Sequence, residues 1–119
     1  DAILKLIDKD LVYSIHDVSS GGLIVALAEM SLSSDFGLKI EKPKKLFNSM
    51  EYFFGEDQGR YIIEIGKNNL KNVENILKES NIFNELIGSV QKEYFEVKDE
   101  FKMKISDLYK INYKWYNNY

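Results

Sequence analysis

Residues 16–22 combine the side chains and glycines that could bind an anionic ligand near the start of this 119-residue chain. A short apolar run precedes them and a longer one follows, an order that predicts a strand, a polar turn and a helix. The first turn of a helix has unpaired N–H groups and a partial positive charge, and adjacent glycines let a phosphate approach the backbone. The predicted ligand-contact candidates in this turn are Asp17, Ser19, Ser20, Gly21 and Gly22.

A second polar cluster lies at residues 54–61, directly before the apolar run 62–65. Its ligand-contact candidates are Glu56 and Gln58, which share a side if the stretch is extended, and Arg60, whose guanidinium suits a phosphate. One interpretation is recognition of a ribose or an amide, with Arg60 on a phosphate. The alternative is an internal pair between Arg60 and a carboxylate that fixes the loop.

A structural explanation is also open for the first turn. The single histidine, His16, is a possible phosphate contact or a general base, and the second role would need a pKa near the working pH and a reactive proton within reach. The alternative is a partly buried histidine that pins the junction of strand and loop. Gly21 and Gly22 could equally serve tight helix–sheet packing, because no P-loop lysine follows them and Asp17 adds negative charge. We therefore assign no catalytic residue and no metal ligand.

Composition narrows the classes of protein to consider. The formal net charge of −3 argues against a nucleic-acid partner. With no cysteine and one histidine, the chain cannot form disulfides or a multi-histidine metal cluster. No apolar run has the length of a membrane span and no signal segment opens the chain, so we expect a cytoplasmic protein without a membrane partner.

The hydrophobic pattern predicts helices at 2–10, 21–32, 44–50 and 69–79 and from Ser106 onward, and strands at 12–15, 38–41, 60–65, 83–90, 93–97 and 101–105. Ser19 or Ser20 is predicted to cap the second helix, and Asn68 the fourth. Residues 117–119 are expected to fray, and the aromatic tail from Tyr109 either packs on its own domain or forms a partner surface. The mixed order predicts an α/β fold, a mixed sheet covered by helices, in a single domain at 1–119.

Two motifs together resemble a known family. The first is His16-Asp17-Val18-Ser19-Ser20-Gly21-Gly22-Leu23 with Val25-Ala26-Leu27-Ala28-Glu29-Met30 behind it, and the second is Phe54-Gly55-Glu56-Asp57-Gln58-Gly59-Arg60-Tyr61. In this order they are similar to the C-terminal domain of phosphoribosylformylglycinamidine synthase, of the aminoimidazole ribonucleotide synthetase superfamily. The resemblance implies the α/β C-terminal domain of the second half of the small-form synthetase subunit. The chain would then be a C-terminal fragment of a longer multidomain protein.

The resemblance also implies a function. The family's enzyme is an ATP- and magnesium-dependent ligase of purine biosynthesis that uses glutamine-derived ammonia to convert formylglycinamide ribonucleotide into formylglycinamidine ribonucleotide. Its partners are the preceding domains of the same chain, a glutaminase and a small accessory subunit. The segment around Glu56 lies at the family's pseudo-symmetric site, so the fragment alone is expected to be inactive, to hold no cofactor and to be mainly structural or an auxiliary ligand contact. The alternatives are another enzyme of this superfamily, or a stand-alone binding or oligomerisation module.

Overall fold

The computed structural model describes residues 1–43 and 48–116. The elements in chain order are α1 (Ala2–Asp8), β1 (Ser14–Asp17), α2 (Gly22–Ser34), β2 (Gly37–Ile40), α3 (Ser49–Phe54), β3 (Tyr61–Glu64), a 3-10 turn (Lys67–Asn69), α4 (Leu70–Glu79), β4 (Gly88–Gln91), β5 (Tyr94–Val97), β6 (Phe101–Lys104) and α5 (Ile105–Tyr116). The first part of the helix predicted at 44–50, and the fraying predicted at 117–119, lie outside the described residues. In the part that is described, no helix is long and apolar enough to cross a membrane.

The chain divides into two compact units, of which unit 1 comprises Asp1–Asp17 and Gly59–Leu86. Its strands β1 and β3 pair antiparallel, with Ser14 opposite Glu64 and Asp17 opposite Tyr61. Helix α1 packs on α4. Apolar residues of α1 and α4, together with Leu11 from the segment after α1, form a small core made of Ala2, Leu6, Leu11, Val73 and Leu77.

Unit 2 comprises Val18–Gln58 and Ile87–Tyr119. Its sheet has four strands in the order β4-β2-β5-β6, in which β2 runs antiparallel to β4 and parallel to β5. The predicted hairpin is confirmed, because β5 and β6 pair antiparallel across residues 98–100. Helix α2 contacts β2, α3 and α5, and the Tyr109 hydroxyl of α5 donates to the Leu32 carbonyl. The expected α/β architecture, a mixed sheet with packed helices, is therefore confirmed.

Both predicted side-chain caps are wrong. The N-cap residue of α2 is Gly21, at a left-handed φ of 81°, with no side-chain cap. Two consecutive left-handed glycines lead the chain into this helix, a route that glycine takes without Cβ strain. Asn68 lies inside the 3-10 turn that precedes α4, where the Asn69 N–H donates to the Gly66 carbonyl at 2.9 Å.

The strand predicted at 83–90 is shorter and begins later, at Gly88. Its partner β2 ends at Ile40, directly opposite Gly88, and the Glu41 N–H then donates to the Ile87 carbonyl at 2.8 Å. Pro43 follows and has no N–H with which to continue a ladder. Residues 82–87 therefore have no regular structure, and Phe83 is 89% exposed.

Candidate functional site

Gly21 and Gly22 form a left-handed turn, the glycine turn, in unit 2. Their φ angles are 81° and 73°, a region that other residues adopt only with strain. A Cβ on Gly22 would lie 2.7 Å from the Phe53 carbonyl oxygen and 2.8 Å from the Phe54 Cα. Backbone conformation and the close approach of α3 therefore both require glycine at position 22, and no ligand is needed to explain it.

The glycine turn is joined to the second polar cluster by a hydrogen bond. The Gly21 N–H donates to the Glu56 carboxylate oxygen Oε1 at 2.8 Å. A carboxylate is favoured at the start of a helix, where the backbone carries a partial positive charge, and a bond with one ionised partner is stronger than a neutral one. Two of the sequence-predicted candidates, thirty-five residues apart, are therefore in direct contact.

Helix α3 determines where Glu56 lies. The Asn48 side chain caps this helix, because its Oδ1 accepts from the N–H groups of Met50 at 3.0 Å and Glu51 at 3.4 Å. Phe53 is buried and anchors the helix in unit 2, and α3 ends at Phe54. The Gly55 N–H donates to the Glu51 carbonyl at 2.9 Å and so closes the last turn. The chain then turns out to the surface, where Glu56 reaches Gly21.

The remaining candidates of unit 2 are on the surface. Ser19, Ser20 and Gln58 are exposed, and the Ser19 carbonyl accepts from the Gly22 N–H at 3.0 Å. The stretch from Gly55 to Gln58 is not a strand, so the expectation that Glu56 and Gln58 share one side of an extended segment does not apply.

Three further candidates, His16, Asp17 and Arg60, belong to unit 1. The His16 Nδ1 lies 2.6 Å from the Asp17 carbonyl oxygen, and the His16 side chain is 27% exposed. This arrangement favours the interpretation of a partly buried histidine that pins the end of β1. Asp17 is exposed opposite Tyr61, and Arg60, half-buried, directly precedes β3. Asp17 and Arg60 therefore lie at the same end of this two-stranded sheet.

Two side-chain contacts link distant segments of unit 2. Lys42 forms an ion pair with Glu100, and its hydrogen bond and positive charge lower the pKa of the Glu100 carboxyl below its ordinary 4.5. A hydrogen bond with Asp35, supported by burial, raises the pKa of the Tyr109 hydroxyl above its ordinary 10.0. Neither group was a sequence-predicted candidate. Both link segments that are far apart in the chain, which a local pattern does not reveal.

A magnesium centre does not fit the described residues. Across 1–43 and 48–116 no three histidine, cysteine, aspartate or glutamate side chains come together as metal ligands. Magnesium prefers carboxylate oxygens together with substrate phosphates. We therefore derive no chemical step through a metal held by this part of the chain.

Comparison with known proteins defines the class. Residues 1–100 match the family model described as AIR synthase related protein, C-terminal domain. The chain belongs to this family.

The curated relatives give a narrower likeness. The subunit PurL of phosphoribosylformylglycinamidine synthase from Pelagibacter ubique is 44% identical over 119 residues, and that from Rhizobium meliloti is 31% identical over the same length. The match covers the whole of this chain and 16% of the length of each relative. The chain therefore spans about a sixth of the length of the curated proteins that it resembles.

Solved structures share the fold. Thermotoga maritima PurL complexed with ATP superposes with a TM-score of 0.76 at 16% identity, over 90% of this chain and 20% of that one. A HypE–HypF complex superposes with a TM-score of 0.65 at 17% identity, over 87% of this chain and 39% of the matched one. At these identities the likeness establishes the fold alone.

Proposed function

We propose that this chain is the AIR-synthase-type C-terminal domain of an ATP-dependent ligase that converts formylglycinamide ribonucleotide into formylglycinamidine ribonucleotide in purine biosynthesis. The observation that carries the proposal is the 44% identity to a PurL subunit over every residue of the chain. Solved relatives named as PurL in complex with ATP and with FGAR are consistent with such substrates. We also propose that this ligase acts in the cytoplasm.

Within that enzyme we propose a structural role for this domain, with an auxiliary ligand contact. The glycine turn has a packing reason to exist, and its Gly21 N–H is engaged by Glu56. Exposed Ser19, Ser20 and Gln58 are the side chains of unit 2 best placed to contact a ligand, and Asp17 and Arg60 those of unit 1. Magnesium ligands and most nucleotide contacts would come from other parts of the longer protein, which also explains why we expect no turnover by this chain alone.

The proposed partners are the preceding domains of the same polypeptide, a glutaminase that supplies ammonia and a small accessory subunit. Support comes from the size of the relatives, since this chain matches 16% of the length of Pelagibacter ubique PurL. A solved assembly from Thermotoga maritima named PurLQS, with a TM-score of 0.77 to this chain, supports a multi-subunit complex.

A domain exchange tests the function. The segment of Pelagibacter ubique PurL that aligns with this chain is replaced by these residues, and synthesis of formylglycinamidine ribonucleotide is measured with ATP, magnesium, glutamine and the partner subunits. We expect the chimera to be active. A matched chimera that carries the superposed segment of the HypE–HypF complex, which shares the fold at 17% identity, should fold and be inactive.

Two results would contradict the proposal. One is a chimera with this chain that folds and assembles with its partners but makes no product. The other is synthetase turnover by the purified chain of 119 residues without any other domain.

A further inference from the structure

We propose that the Glu56 carboxylate is a built-in anion that keeps the glycine turn closed, so that an external anion can use this turn only after Glu56 has moved away. We call the hydrogen bond between Glu56 and Gly21 the latch. The inference goes beyond the proposed function and does not depend on it, because every atom involved belongs to unit 2.

Both glycine N–H groups of the turn have acceptors in the chain itself. The Gly21 N–H donates to Glu56 at 2.8 Å, and the Gly22 N–H donates to the Ser19 carbonyl at 3.0 Å. An anion at the start of a helix depends on such N–H groups together with the partial charge of the helix. An incoming anion would therefore compete with the latch.

The packing of α3 brings Glu56 to this place and holds it there. Gly22 has no side chain, so the α3 backbone at Phe53 and Phe54 lies against it, at a distance where even a Cβ would collide. The Asn48 cap fixes the start of α3, and buried Phe53 fixes its end. Glu56 is the second residue after the helix, so its side chain lies within reach of the Gly21 N–H.

The latch can also be opened. Glu56 is exposed, and the residues from Gly55 to Gln58 lie on the surface outside any helix or strand. The exposed hydrogen bond from the Gly21 N–H holds the carboxylate. The packing of α3 against Gly22 involves backbone atoms of Phe53 and Phe54 and not the Glu56 side chain. The turn is therefore reversibly closed by an internal carboxylate.

Amide hydrogen exchange at Gly21 in the full chain tests the latch. We expect Glu56→Ala to speed exchange of the Gly21 amide about tenfold, while the Val97 amide of β5 keeps its rate and reports an intact sheet. Asp57→Asn removes a neighbouring charge and should leave the Gly21 amide unchanged. Glu56→Gln keeps an acceptor without the charge and should exchange at an intermediate rate; it serves as the test variant if Glu56→Ala does not fold.

Small anions provide the decisive readout. Added formate should restore slow exchange at Gly21 in Glu56→Ala and have no effect on the native chain or on Asp57→Asn. Inorganic phosphate should shift the Gly21 amide resonance in Glu56→Ala and not in the native chain. The proposal is overturned if Glu56→Ala leaves Gly21 exchange unchanged, or if phosphate shifts Gly21 equally in both chains.

Discussion

Gly22 and Gly59 have nearly the same φ angle in different surroundings. Their φ angles are 73° and 78°, so each takes a shape that a residue with a Cβ adopts at a cost. A Cβ on Gly22 would press into the backbone of Phe53 and Phe54, whereas a Cβ on Gly59 would meet nothing within 4 Å. The pair therefore separates the cost of the left-handed conformation from the cost of the collision.

We expect Gly22→Ala to lower the free energy of unfolding by about 3 kcal/mol and Gly59→Ala by about 1 kcal/mol. The larger loss combines conformational strain with overpacking, and the smaller one contains the strain alone. Urea denaturation of both variants measures the difference. Equal losses would mean that α3 moves away from Gly22 at no cost.

At the scale of elements, the helix starts show where a local pattern misleads. Asn48, which lies inside the helix predicted at 44–50, caps α3 through two backbone N–H groups, whereas Asn68, the predicted cap, lies in a 3-10 turn. We expect Asn48→Ala to cost about 1 kcal/mol of stability. Asn68→Ala should change it by less than about 0.5 kcal/mol. Urea midpoints of the two alanine variants check the order, and a larger loss at Asn68 would contradict the assigned caps.

Helix α5 is tied to the end of α2 by a titratable group. The Tyr109 hydroxyl donates to the Leu32 carbonyl, and the neighbouring Asp35 together with burial raises its pKa above 10.0. A raised pKa means that the folded state favours the neutral phenol. This contribution to stability is therefore complete below the unfolded value and is lost as the pH rises through the folded one.

Ultraviolet titration of phenolate formation checks this expectation. The difference between the native chain and Tyr109→Phe should show a hydroxyl whose pKa lies above the ordinary 10.0 of a tyrosine. The stability difference between the native chain and Tyr109→Phe should be constant at neutral pH and shrink in alkali. Ionisation of the Tyr109 hydroxyl at its ordinary pKa of 10.0 would contradict this expectation.

The sequence predicts what is local and misses what is distant. The β5–β6 hairpin follows from alternation on both sides of Lys98, Asp99 and Glu100, and the structure contains it. The start of β4 depends on where β2 stops, because Gly88 pairs with Ile40, some fifty residues earlier in the chain. Alternation at 83–87 therefore predicted too long a strand. The glycine turn was predictable because its two glycines lie between two apolar runs in the local sequence. Its bond to Glu56 was not, because that bond depends on how α3 folds.

At the scale of the whole molecule, unit 1 rests on a small core. Leu6 is fully buried there, and Leu4, on the same helix, is 61% exposed. We expect Leu6→Ala to cost about 3 kcal/mol because it leaves a cavity, and Leu4→Ala to change stability by less than about 0.5 kcal/mol. Thermal and urea unfolding of the pair provide the measurement. Comparable losses would mean that the outer face of α1 is covered in solution.

The strand order of unit 2 constrains how this chain can fold while it is being synthesised. β2 lies between β4 and β5, and both partners belong to the segment that starts at Ile87. Strands distant in sequence pair slowly, because the entropy of closing the loop between them is lost before their contacts form and compensate for it. A nascent chain that has emerged only as far as Leu86 contains β2 without either neighbour, so the four-stranded sheet assembles only after most of these residues have left the ribosome.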